Sequence, residues 1–479
     1  MQSALTLSSL LPVIPEIYLT AAICVALLVG VFKRDSGGAA LGTLTLVLLG
    51  IGAILTARFA LVGQSTVLFD GLYIADPVAG FLKLTGFVAV GVALLYSQAY
   101  RHRHGIRACE YDVLVLTALL GIFIMVSAGS LLSVYLGVEL LSLSLYALVA
   151  ADRKSGVAAE AAIKYFVLGA IASGALLYGM SMLYGLTGTL DLHELANLAR
   201  DQGSTGLLIG IAFVIVAVAF KFGAVPFHMW VPDVYEGAPT TVTLLIASAP
   251  KIGSFALAYR LLAEGLSGMP AAWGQMLMAV AVLSLVVGNV VAIAQSNLRR
   301  MLAYSTVANV GFILLGFVAG SAAGYQAALY YTVAYILTTL GSFGIVLLAS
   351  SQASELDSLE DYKGLARREP LLAALMAALM LSTAGVPPFV GFWAKLWVLQ
   401  SLVAAGHIWL AGFAVFTSVI GAYYYLRVIW FMYFEQGVDK PAGERSGAAG
   451  FVITLNTLAV LVLGLLPNTL LALCQKLLP

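Results

Sequence analysis

The chain has 479 residues, of which 61% are hydrophobic and 10% charged, and its formal net charge is +1. With a mean hydropathy of +1.00 it carries more apolar surface than a soluble core can enclose, which excludes a water-soluble enzyme and defines an integral membrane protein. In lipid every backbone polar group must bond within its own segment, so a spanning chain is either helical or a closed barrel. Apolar runs of about 20 residues without period-2 alternation select an all-α polytopic bundle.

In chain order, about fourteen such runs fall at residues 13–32, 39–62, 74–97, 111–128, 130–150, 157–186, 205–230, 239–264, 273–294, 300–320, 324–350, 370–401, 404–434 and 449–473. The longest loops, near 98–110, 187–204, 351–369 and 435–448, are too short to hold a further domain. The first basic residue is Lys33, so the first span lacks the positive flank of a cleaved signal peptide and is expected to remain. Basic residues then sort by loop. Lys33, Arg34, Arg101, Arg103, Arg107, Arg153, Lys154, Arg299, Arg300, Lys363, Arg367, Arg368, Lys440 and Arg445, with Arg427 at the edge, share one side, whereas the other holds Arg58, Arg200, Arg260 and Lys476. The positive-inside rule makes the first side cytoplasmic and places both termini outside.

Five lysines, Lys83, Lys164, Lys221, Lys251 and Lys395, lie inside spans, and Glu139 is the one acid read as deep within a span. A charge at the bilayer centre costs about 2.5 to 3.5 kcal/mol on insertion scales and usually faces a bundle interior or a water-filled path. Plainer roles exist. Lys83, two turns into its span, can snorkel outward, which is awkward for the deeper Lys164; Lys221, Lys251 and Lys395 can pair with carbonyls for stability, although an apolar residue does that at lower cost. Tyr135, Glu139, Ser142 and Tyr146 recur at i, i+4, i+7 and i+11 and so line one face of the fifth span. Ser248, Lys251 and Ser254 do the same in the eighth, and Tyr331, Tyr335, Thr338 and Ser342 in the eleventh. Such stripes serve ordinary interhelical hydrogen bonding or, with lysines among them, a hydrated proton file.

GAVPF at 223–227 returns as GVPPF at 385–389. Gly223 and Pro226 in the first copy, and Gly385, Pro387 and Pro388 in the second, interrupt apolar spans in the manner of discontinuous transporter helices. The offset equals five spans, an odd number, so spans 4–8 and 9–13 are expected as inverted five-helix repeats with helices 7 and 12 broken. The chain then divides into a three-helix segment (1–110), a first repeat (111–264), a second, inverted repeat (265–434) and a C-terminal helix (435–479). The copies differ chemically: Lys221 precedes its break, Lys395 follows the other, and Met301 stands at the position matching Glu139. Residues after Trp230 are expected to form a cytoplasmic turn. Cys24, Cys109 and Cys474 are far apart and lack metal or cluster spacing. With no phosphate-binding glycine loop either, neither a redox cofactor nor a metal is expected in this chain.

The segments VYLGVELLSLSLYAL with Glu139, FKFGAVPFHMWVPDVYEGAPTTVTLLIASAPKIGSFA with Lys221 and Lys251, SNLRRMLAYSTVANVGF, and STAGVPPFVGFWAKLWVL with Lys395 resemble the antiporter-like membrane subunits of respiratory complex I. The likeness covers most of residues 110–430, and VYEGAP and SAPKIGSF are closer to the N branch of that family than to its L and M paralogues. The resemblance implies that Glu139, Lys164, Lys221, Lys251 and Lys395 carry protons, with Tyr135, Ser142, Ser248, Ser254, Tyr331, Tyr335 and Thr338 as possible relays. His228, near the first break, is either a further relay or a cap on freed backbone. Asn309 stands where the paralogues have histidine, so no proton is assigned to it. The implied activity is proton pumping coupled to electron transfer from NADH to quinone. FMN, iron–sulfur clusters and quinone would sit in partner subunits of the membrane and peripheral arms, including neighbouring antiporter-like subunits. The expected setting is a bacterial plasma membrane, with lipid and protein partners rather than nucleic acid. The alternatives are a subunit of a cation/proton antiporter or membrane-bound hydrogenase, and a non-pumping scaffold.

Overall fold

The computed structural model describes residues 7–32, 38–201, 204–350, 356–437 and 447–478; Lys33, Arg34, Lys440 and Arg445 therefore lie outside the described residues. A 3-10 turn (Leu7–Val13) leads into α1 (Ile14–Phe32), followed by α2 (Gly38–Phe59), a small antiparallel hairpin of β1 (Thr66–Leu68) and β2 (Tyr73–Ala75), and α3 (Pro77–Arg103). Next come α4 (Ala108–Val126), α5 (Leu131–Val149), α6 (Gly156–Thr187), α7 (Leu192–Asp201), α8 (Thr205–Phe222), α9 (Trp230–Gly237), α10 (Thr240–Ala247) and α11 (Pro250–Ala258), which continues into a π-helical turn at Tyr259–Gly265. The remainder comprises α12 (Pro270–Ile293), α13 (Leu298–Val318), α14 (Ala322–Ala349), α15 (Leu365–Arg368), α16 (Pro370–Ala384), α17 (Val390–Ala404), α18 (Ile408–Phe434), α19 (Gly447–Leu465) and α20 (Pro467–Leu477).

Among the described residues thirteen helical stretches are long and apolar enough to cross a bilayer. The pair α16 and α17, 15 residues each, forms a fourteenth crossing. The stretch from Thr240 to Ala258 is buried along its whole length and α13 and α14 nearly so, while α1, α2 and α19 face mainly outward. Close approach depends on small residues where backbones meet: a Cβ on Gly121 would lie 2.5 Å from Leu141 N, and one on Gly137 would lie 2.7 Å from Met125 N, which fuses α4 to α5.

The seventh span stops, as α8, at Gly223, in the left-handed region at φ +80°, and the twelfth stops, as α16, at Gly385, at φ +89°. Only glycine takes that conformation without steric cost. Each glycine N–H returns to the last turn, Gly223 to the Ala219 and Phe220 carbonyls and Gly385 to the Leu381 and Ser382 carbonyls. Each is followed by a cis X-Pro bond, Val225–Pro226 and Pro387–Pro388. Gly223 to Gly385 and Pro226 to Pro388 are both separations of 162 residues, so the breaks share backbone detail as well as sequence.

Several expectations are corrected. The segment after Trp230 is not a turn but the buried helix α9, anchored by Trp230 Nε1 donating to Phe220 O at 3.1 Å. The eighth span is not one helix; Ser248 leaves helical geometry at ψ −85° and Pro250 opens α11. The last span is shorter than 449–473, because Pro467 starts a separate helix after Leu465. The hairpin Thr66–Ala75 is a small departure from an all-helical chain. Lys83 does not snorkel: it is 1% exposed, 2.6 Å from Glu16 Oε1, and it donates to Tyr73 OH at 2.7 Å. Glu16 is thus a buried acid within a span, as is Asp112 of α4. Arg101, counted with the loops, is buried and pairs with buried Asp112. Arg260 is likewise buried on Asp76, Glu264 and the Val126 carbonyl. Such pairs pin helix ends, because breaking one strands a buried charge.

The second break rests on α19. Trp393 Nε1 donates to Gly464 O at 2.8 Å, and a Cβ on Gly464 would lie 2.0 Å from Pro388 O. Gly464→Ala is expected to destabilise the protein by about 1 to 3 kcal/mol through overpacking, read as a lower melting temperature of the assembled protein. An unchanged melting temperature contradicts this packing.

Candidate functional site

A helix that ends inside a membrane exposes carbonyls that have no intrahelical partner. At the end of α8 the Phe222 carbonyl accepts from Lys251 Nζ at 2.9 Å, and the neighbouring Lys221 carbonyl accepts from Ser254 Oγ at 2.9 Å. At the end of α16 the Ala384 carbonyl accepts from Lys395 Nζ at 2.8 Å. Phe222 and Ala384 are the last residues of their helices, so both breaks carry the same device. An ammonium meets the partial negative charge of a helix C-terminus, worth up to about 2 kcal/mol in a partly buried setting. Lys251 is rooted in the first turn of α11, where a cation is disfavoured, and extends to a helix end that favours it.

Lys221, the last basic residue of α8, points the other way. Its Nζ donates to Ser142 Oγ on α5 at 2.6 Å and lies 5.5 Å from the centre of the Phe220 ring. Ser142 Oγ donates in turn to the Val138 carbonyl. Glu139, one turn from Ser142 on α5, is half-buried, and its Oε1 has no hydrogen-bond partner. Glu139 thus shares the α5 face of Ser142, the hydroxyl that holds Lys221 of α8, without pairing with that lysine. Ser142, Lys221, Lys251 and Ser254 form one connected cluster through the backbone of residues 221 and 222.

A second cluster surrounds Lys395, whose Nζ also donates to Ser418 Oγ at 2.8 Å and lies 5.3 Å from the Phe312 ring centre. The lysine side chain lies over Gly385, where a Cβ would approach Lys395 Cδ to 2.9 Å. Beside it is a cavity of about 10 Å³ lined by Asn289, Asn309, Ser418, Tyr424 and Tyr425, about the size of one water molecule. Tyr331 OH donates to Asn309 Oδ1 at 2.7 Å, and Asn309 Nδ2 donates to Tyr425 OH at 3.2 Å. Asn309 is therefore part of a hydrogen-bonded wall. Ser418, Tyr425 and Asn289 were missed as site residues, although Ser418, Gly421 and Tyr425 at i, i+3 and i+7 mark one helix face. Gly421 leaves room for Asn289, whose Oδ1 would lie 2.3 Å from a Cβ there.

The remaining expected residues are dispersed. Tyr335 OH donates to Thr306 Oγ1 at 2.8 Å. Ser248, Thr338 and Ser342 return their hydroxyls to carbonyls one turn back on their own helices, the ordinary satisfaction of a buried hydroxyl. Tyr135 is half-buried on the Glu139 face, and Tyr146 packs edge-on against Tyr165 at 4.7 Å. His228 faces Tyr304 edge-on at 6.2 Å, and its Nδ1 has no hydrogen-bond partner. Lys164 is not buried with the other lysines. It is 45% exposed and lies 2.9 Å from both Glu160 and Asp233. Asp233 also meets Arg300 at 2.9 Å. Burial works against the Asp233 carboxylate, but the bonds from Lys164 and Arg300 outweigh it and hold Asp233 below the ordinary carboxylate range.

Broken helices with lysine-held ends on a bundle of fourteen crossings define an antiporter-like membrane subunit. Residues 128–421 match the family described as NADH:quinone oxidoreductase/Mrp antiporter, TM, and the chain belongs to that family. It is 52% identical over 468 residues, 96% of each chain, to the NADH-quinone oxidoreductase subunit N of Acidithiobacillus ferrooxidans. Among solved structures it is similar to a chain of respiratory complex I from Thermus thermophilus, with 30% identity and a TM-score of 0.81 over 96% of this chain and 98% of that one. It is also similar to a chain of an archaeal membrane-bound sulfane sulfur reductase, with 27% identity and a TM-score of 0.85 over 98% of this chain and 96% of that one.

Replacing Lys251 by Met leaves the Phe222 carbonyl buried without its donor, a loss of about 1 to 3 kcal/mol. Hydrogen exchange in the K251M protein is expected to speed up at amides 219–231 while α13 keeps its protection. Unchanged exchange at those amides contradicts the capping role.

Proposed function

We propose that this chain is the N-type proton-translocating membrane subunit of a bacterial NADH:quinone oxidoreductase, moving protons by way of Lys221, Lys251 and Lys395. The observation that carries this reading is that each of two breaks inside the membrane ends on a carbonyl held by a lysine ammonium. A protonated lysine makes that bond strongly, because charge-assisted hydrogen bonds are roughly twice as strong as neutral ones. Proton loss weakens the cap, so protonation and the shape of the break are linked.

Glu139 supplies the variable charge. In the arrangement described above it is unpaired, and Lys221 rests on Ser142. Bringing unit charges to ~6 Å at an effective dielectric of ~20 is worth on the order of 3 kcal/mol, comparable with the ~2.3 kcal/mol needed to lift one charge against 100 mV. Electron transfer to quinone in the rest of the complex would displace Glu139 relative to Lys221. Once Lys251 has passed its own proton onward, Lys221 hands its proton toward Lys251, which holds the carbonyl of the next residue, Phe222, and the Lys395 cluster serves the second half. Ser142, Ser254, Ser418 and the Asn309 group orient these lysines, whereas Lys164 acts with Asp233 and Arg300 at the rim.

The recurrence of both breaks at one offset supports an inverted-repeat origin for residues 111–264 and 265–434. The basic loops support a cytoplasmic assignment for their side, with both termini outward in the inner membrane. FMN, iron–sulfur clusters and the quinone site belong to partner subunits. The shared fold of the sulfane sulfur reductase chain means that fold alone does not select the oxidoreductase; similarity to subunit N along nearly the whole chain favours it.

In the assembled complex, Lys221→Ala, Lys251→Ala and Lys395→Ala are each expected to reduce NADH-driven proton uptake into inverted vesicles at least about fivefold. NADH oxidation by an artificial acceptor should stay intact, and Arg replacements should not restore transport, since arginine stays charged. Wild-type pumping by assembled Ala variants refutes the pathway and leaves a scaffold role.

A further inference from the structure

Away from both clusters a cavity of about 590 Å³ lies between α1, α4 and α5, at the end where the α3–α4 and α5–α6 loops meet. We propose that it is a binding site for an anionic glycerophospholipid, with the phosphodiester on its basic rim and an acyl chain along its wall. This rests on the membrane-spanning fold and does not depend on the proton pathway.

The two ends of the cavity differ in chemistry. The rim carries Arg107, Arg153 and Lys154 against Glu110 and Asp152, a surplus of one positive charge. Glu110 braces both arginines, at 3.1 Å to Arg107 Nη1 and 2.8 Å to Arg153 Nη2. Each guanidinium has five N–H donors and spends only one nitrogen on Glu110, which leaves the others for solvent or a ligand. Among the described residues the Lys154 side chain has no partner; its backbone N–H donates to Asp152 Oδ1 at 3.1 Å. The wall is apolar, formed by Leu27 of α1, Val113 and Leu114 of α4, and Ala147 of α5. Leu27 and Ala147 are exposed, so the wall is open to the lipid.

A soluble anion would use the rim and leave the wall bare. A neutral lipid would use the wall and leave the surplus charge unmet. An anionic phospholipid satisfies both, as basic pockets between transmembrane helices commonly do. The size falls within the roughly 300 to 1,000 Å³ range of small-molecule pockets.

The test uses the intact complex in nanodiscs containing photoactivatable phosphatidylglycerol or phosphatidylcholine, with labelled peptides mapped by mass spectrometry. Phosphatidylglycerol is expected to label residues 104–114 and 147–154, and phosphatidylcholine about tenfold less. The triple variant R107Q/R153Q/K154Q, on an exposed rim, should lose the preference, and Ala147→Phe should lower labelling by filling the wall. Glu110→Gln should keep or raise the preference for phosphatidylglycerol. Three results overturn the proposal: equal labelling by both lipids, displacement of the label by millimolar inorganic phosphate, or absence of label with the rim cross-linked to a neighbouring subunit.

Discussion

A helix broken inside a membrane must find partners for its end carbonyls, and in this protein the partner at each break is a lysine. Water is scarce in the bilayer core and each unmet group costs several kcal/mol, so the break and the cation depend on each other. Lys251 holds Phe222 O and Lys395 holds Ala384 O. The glycine at positive φ and the following proline end each helix cleanly enough to place that last carbonyl. Much of the rest supports this arrangement: the buried α13 and α14 form a rigid centre, and Gly464 and Trp393 seat the second break on α19.

On the proposed pathway, the two ways of reading Lys251 and Lys395, as structural cap and as proton carrier, become one interaction seen in two protonation states. A lysine whose proton is also the hydrogen of a cap cannot release it without loosening a helix end. That gives proton movement a mechanical consequence, and gives any displacement of the break an effect on the proton. Ser142 and Ser418 place hydroxyls on Lys221 and Lys395 at 2.6 and 2.8 Å, so each of these cations has a neutral partner as well as an environment of low polarity.

The bundle itself was legible in the sequence because apolar length alone identifies spans, and the recurring GAVPF and GVPPF identified both breaks. The end of helix 7 was misjudged because Trp230, Val231, Val234 and Tyr235 are spaced too briefly to announce a helix, and Pro232 and Asp233 suggested a turn. The break at Ser248 was signalled by Pro250 but obscured by the helical spacing of Ser248, Lys251 and Ser254. Lys221, Lys251 and Lys395 were legible as charges out of place. Their partners were not, because Phe222 O and Ala384 O are backbone atoms that no side-chain pattern reveals. Lys83 was misread since Glu16, 67 positions earlier, sits at the start of another span; Lys164 was misread since Asp233, its partner, lies on the helix taken for a turn.

The most direct measurement is nitrogen-15 magnetic resonance of the lysine side chains in the assembled complex, with signals of Lys221, Lys251 and Lys395 assigned by Lys→Arg replacement. Between the resting enzyme and NADH-driven turnover, at least one of these nitrogens should exchange between ammonium and neutral amine, and amides beside Gly223 or Gly385 should shift with it. If all three stay ammonium throughout turnover and the amides at both breaks do not move, the lysines are caps alone and the proton travels elsewhere.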